Sequence, residues 1–95
     1  MGVLHHVSLA PDHASAWALL LDALADGDVV VLLDQSIRHA GAIVRIIGLG
    51  PAAVRWCVPA VESPHGAALP APLVPIADEH WWALVAASER LIEWN

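Results

Sequence analysis

Apolar residues along the chain switch between strand-like runs and helix-like spacing, and the switches predict the elements. Val3 to Val7 is a short β-branched and apolar run, read as a first strand, and Ser8 and Pro11 mark the loop after it. Asp12 is placed to cap a helix by accepting from the free amides of its first turn. In that helix Trp17, Leu20, Leu21 and Leu24 stand at offsets of 0, 3, 4 and 7, which gathers all four on one face. Gly27 fits the left-handed position just past a helix end. Val29 to Leu33 is continuously apolar, as expected of a strand covered on both faces in a parallel sheet.

The second half repeats the alternation less cleanly. Between Gln35 and Gly48, Ile37, Ala40, Ile43, Val44 and Ile47 keep helical spacing while Gly41 and Gly48 weaken it, so one broken helix or two short ones are expected. Leu49 to Pro51 is a turn. Val54 to Val58 reads as a third strand, with Val54, Trp56 and Val58 on one face and Arg55 and Cys57 on the other. Pro59, Pro64 and Gly66 leave room for at most one helical turn, and Gly66 to Pro72 is a loop. Leu73 to Ile76 is a short fourth strand, which Pro75 places at an edge or strand end. Asp78 is expected to cap a last helix, with Glu79 favourable in its first turn. Trp81, Leu84, Val85, Ser88, Leu91 and Ile92 form its stripe. This order predicts an α/β fold: a small three-layer parallel β-sheet with helices on both faces. No repeat or long linker divides residues 1–95, so one domain is expected.

Composition sharpens this picture. The chain is 58% hydrophobic, with a mean hydropathy of +0.61 over 95 residues. So small a domain has too little interior for that load, and some of it is expected in a subunit interface. Four arginines and no lysine face ten acids, a formal charge of −6. Direct nucleic-acid binding and attraction to anionic membranes are therefore not expected. The longest weakly charged region, Ala40 to Val54, holds Arg45, three glycines and Pro51, and falls short of the roughly 20 apolar residues of a membrane helix. The first residues lack a basic segment followed by an apolar run, so no signal peptide is expected. A single cysteine fits a reducing cytoplasm.

Candidate chemistry is sparse. Gly48, Leu49 and Gly50 look like half a dinucleotide fingerprint, but Pro51 follows and no third glycine opens a helix. Six histidines invite a metal reading. However, His5 and His6 point to opposite faces of a strand, His13, His39, His65 and His80 are scattered, and no pair has the i, i+4 spacing of a zinc helix. Hydrogen-bonded or surface histidines are the expectation, with neither metal nor cofactor. Cys57 is the one catalytic candidate in view. It is either a sulfur-accepting thiol beside Arg55 or a buried apolar filler, and mid-strand placement offers little to activate a thiol. No serine sits in a nucleophile elbow. Five tryptophans stand without any Tyr or Phe. Trp17, Trp56 and Trp81 fall on core faces; Trp82 and Trp94 lie off the main stripe and are the candidates for partner contact.

Taken whole, the chain resembles the DsrH/TusB family, the smallest subunits of the DsrEFH and TusBCD sulfur-relay complexes. The likeness runs from Leu4-His5 and Ser8 to Pro11, through the leucine-rich helix and Gly27-Asp28 before Val29 to Leu33. It continues through Val54 to Val58 and His65-Gly66, and ends with Ile76, Asp78, Leu84-Val85 and Trp94. Gln35-Ser36 stands where the family has Asp-Gly, and Val61 where it often has Asp. Family members from sulfur oxidisers carry a cysteine in the first helix, and the matching position here is Leu20. The resemblance thus implies a non-catalytic subunit, with the persulfide carried by paralogous DsrE/TusD-like and DsrF/TusC-like partners. Sulfur would arrive from a small donor protein and pass toward 2-thiouridine at the tRNA wobble position. A subunit of the DsrEFH type, serving dissimilatory sulfur oxidation, is the alternative within the family. Outside it stand a thiol enzyme using Cys57 and a stand-alone small-molecule-binding domain whose strand-end rim includes Ser8, Gln35, Pro59 and Ala77.

Overall fold

The computed structural model describes residues 2–48, 53–60 and 69–95. Its centre is a five-stranded, all-parallel sheet: β1 (Leu4–Val7), β2 (Val29–Leu32), β3 (Arg55–Pro59), β4 (Val74–Ile76) and β5 (Leu91–Trp94), in the order β4-β3-β2-β1-β5. The chain winds outward from β1 to β4 and then returns across the sheet to lay β5 on the far side of β1. Helices α1 (Ala14–Ala23), α2 (Gln35–Arg38), α3 (Ala40–Ile47) and α4 (Asp78–Ala87) lie in the β1–β2, β2–β3 and β4–β5 connections. The expected α/β architecture with a parallel sheet and helices on both faces is therefore present.

Two cores follow from the period-2 alternation of the strands. Val7, Val30, Leu32, Trp56 and Val58 point to one face and meet Trp17 and Leu20 of α1, Leu24 just after it, and Ile43 and Ile47 of α3. The Trp17 indole also donates to the Ala10 carbonyl at 2.9 Å, which fixes the turn before α1. The opposite face is thinner. Leu4, Val31, Cys57 and Ile76 are buried there, with Trp81, Leu84 and Val85 of α4 laid over them. No residue of α4 is itself fully buried.

Several local expectations are corrected. The residue flanking α1 is His13, with no side-chain cap, and Asp12 lies in the turn ahead of it. Gly27 does have positive φ (89°), but in the turn before β2; the residue that ends α1 is Leu24, in extended conformation. Asp78 is the first residue of α4 and makes no side-chain cap; Ala77 flanks it. The long last helix is the largest correction. It stops at Ala87: Ser88 still donates its amide and its hydroxyl to the Leu84 carbonyl, at 3.0 and 2.6 Å, but its own backbone is extended and the chain leaves the helix there. Leu91 and Ile92 belong to β5, which pairs with β1 in the register His5 to Ile92 and Val7 to Trp94. The helical break expected in 35–48 falls at His39, between α2 and α3. Leu49 to Pro51, Val61, Ser63, Pro64 and His65-Gly66 lie outside the described residues.

Candidate functional site

The chemistry of the molecule gathers around two adjacent histidines of β1 that face opposite ways. His5 points into the α1 side and is buried, as is Asp28, the residue before β2. Parallel pairing of β1 with β2 sets Leu4 beside Val29 and brings the two side chains within reach. His5 Nε2 lies 3.0 Å from Asp28 Oδ2, and the Trp94 indole N–H donates to His5 Nδ1 at 3.1 Å. An indole nitrogen can only donate. Nδ1 is therefore the acceptor, and the neutral ring holds its proton on Nε2, directed at the carboxylate. Asp28 also accepts from the Val3 amide (3.0 Å) and the Ala25 amide (3.1 Å). Burial pushes its carboxyl upward, but the Val3, His5 and Ala25 hydrogen bonds and the nearby histidine outweigh burial and hold it below the ordinary carboxylate range.

This Asp–His pair resembles the first two members of a hydrolase triad, but its third contact is wrong for that task. A triad histidine accepts from a nucleophile's hydroxyl or thiol. Here Nδ1 accepts from an indole, which has no nucleophilic lone pair to offer. The cluster instead locks three distant segments together: the start of β1, the turn before β2 and the end of β5.

His6 faces α4. The Trp81 indole donates to its Nε2 at 3.0 Å, and the rings meet edge-on, with centroids 5.4 Å apart. By the same donor logic the neutral ring carries its proton on Nδ1. Burial lowers the His6 pKa, with Glu93 opposing that shift. Beside this pair opens a crevice of about 200 Å³, floored by His6 and walled by Asp78, Trp81, Trp82 and Val85. The four α4 residues stand at i, i+3, i+4 and i+7, one helical face.

Cys57 lies on the same side of the sheet, but at its centre. It is 1% exposed, between Val31 and Val74 in the register. Burial pushes its thiol up, and the charge of Arg55 offsets this only in part. A reactive thiol needs access and a lowered pKa; Cys57 has neither. Of the two tryptophans singled out for partner contact, Trp82 is 70% exposed. Trp94 is partly buried against the α1-side core and committed to His5. Ser8, Gln35, Pro59 and Ala77 follow or end successive strands and are spread along the carboxyl edge of the sheet. Ser8 there gives its amide to the Trp94 carbonyl. Asp34, at the same edge, holds φ at 47°, a conformation costly for a residue with a side chain.

The Asp28–His5–Trp94 cluster escaped sequence reasoning because it depends on the register of three strands. Its only linear trace is a lone acid after a turn glycine. Among the described residues no three His, Cys, Asp or Glu side chains converge as a metal site, and no helix is long and apolar enough to cross a membrane. No protein-family model matches the chain, and no curated protein matches it.

Proposed function

We propose that this chain is a non-catalytic subunit of a cytoplasmic sulfurtransferase complex. In such a complex, sulfur passes as a persulfide on the cysteines of two paralogous α/β partners, toward 2-thiouridine at the tRNA wobble position. The observation that carries the reading is the unequal covering of the sheet. Among the described residues, α1 and α3 seal one face, while the other is covered only by α4, which leaves Trp82 largely in solvent beside an open crevice. Large exposed aromatics rimmed by polar groups mark protein contacts.

Two further features support a structural rather than a chemical role. Cys57 is enclosed and its thiol is pushed up, so it is a poor sulfur acceptor. Leu20, which stands where sulfur-carrying relatives have a cysteine, is packed at 0% exposure in the α1-side core. The net charge of −6 disfavours direct tRNA contact and leaves that task to other components.

Co-expression with the DsrE/TusD-like and DsrF/TusC-like subunits tests the reading. The expected result is a stable assembly in native mass measurement that is retained with Cys57→Ala. A chain that stays separate from both partners overturns it.

A further inference from the structure

We propose that the crevice between α4 and β1 is a seat for an arginine side chain presented by a partner subunit. Naming the donor as a partner subunit rests on the functional reading above; the ligand chemistry rests on the crevice alone. Its walls are the Trp81 and Trp82 indoles and Val85, surfaces suited to the methylene stem and planar head of an arginine. Its polar lining is His6 and the carboxylate of Asp78, with two more acids close by. Asp78 lines the crevice, and Glu79 follows it in the first turn of α4. Glu93 stands beside His6 in the β1–β5 register, so its side chain leaves the sheet on the same face. Its charge is felt at His6.

Among the described residues, neither Asp78, Glu79 nor Glu93 forms an ion pair, and Asp78 makes no cap of its own helix. The positive end of the α4 dipole amounts to about half a charge, which two first-turn carboxylates more than cancel. His6 adds no competing charge in its neutral form, and its link to Trp81 holds that indole in place. A guanidinium stacks on indole and forks to carboxylates, whereas the ammonium of lysine does neither as well.

The test uses the full chain, N-acetyl-arginine amide and its neutral isostere N-acetyl-citrulline amide, followed by NMR at the Trp81 indole, which lines the crevice and is kept in every variant. The arginine probe is expected to bind about tenfold more tightly than the citrulline probe, the scale of one charge-assisted hydrogen bond. Asp78→Asn and Glu93→Gln are expected to erode that preference, and Trp82→Ala to weaken binding about threefold or more. All three residues are exposed, so folding is retained. Equal binding of the two probes, or no response to either, overturns the proposal. In the co-expressed assembly the same substitutions should loosen the complex. A complex that forms and ignores them overturns the crevice assignment while sparing the functional reading. Selective arginine binding with no complex supports the ligand chemistry and removes the functional reading.

Discussion

At the scale of single residues, Asp28 is the most consequential side chain. It is a buried carboxylate receiving two amides and an imidazole. Asp28→Ala strands all three donors and should cost about 3 kcal/mol, read as a lowered urea midpoint at unchanged slope. The pH dependence follows from the direction of its shift. The folded-state pKa lies below the unfolded value, so the stabilisation is complete above the ordinary carboxylate range near about 4 and is lost as pH falls through the folded value. Thermal melts from pH 7 to pH 3 should therefore show a flatter acid limb in Asp28→Asn than in the parent chain. Cys57 sets the opposite expectation. A raised pKa and near-total burial should make its reaction with a disulfide reagent slow in the native state and complete on unfolding. Rapid native labelling would revive the thiol-enzyme reading.

At the scale of elements, β5 depends on Trp94. Trp94→Phe keeps an aromatic ring but removes the donor to His5 Nδ1 and part of the packing against the core, and should cost at least about 1 kcal/mol. The loss should be accompanied by faster amide exchange at Ser8, whose N–H is held by the Trp94 carbonyl. The other end of the same junction is steric. A Cβ on Gly2 would lie 2.7 Å from the Gly27 carbonyl carbon and 2.9 Å from Asp28 Oδ1. Gly2→Ala must therefore push backbone apart and should lower the melting temperature by several degrees. The elements legible in the sequence are those whose apolar spacing also serves a core: Trp17 and Leu20 in α1 with Leu24 just past its end, and the unbroken run of β2. The end of α4 is not legible because Leu91 and Ile92, which belong to β5, happen to continue its helical spacing. The extended backbone at Ser88 and the free edge of β1 decide otherwise. Trp81, Trp82 and Asp78 were visible as residues. Their gathering around His6 was not, because it needs α4 to be laid over the sheet against β1.

At the scale of the whole molecule, the high apolar fraction is only partly absorbed. Leu19 and Trp82 remain 66% and 70% exposed on helices lying on opposite faces of the sheet. Assembly through the α4 layer would cover the second and its crevice. The rims of the sheet are a different matter. One ends in β4, three residues long with Pro75 at its middle and so short of one amide; the other ends in β5, where Glu93 is exposed. Short, proline-bearing and charged margins of this kind discourage strand-by-strand growth. Neighbours are thus steered away from zipping onto the backbone and toward recognising side chains, which ties the make-up of any complex to particular residues rather than to a generic ribbon.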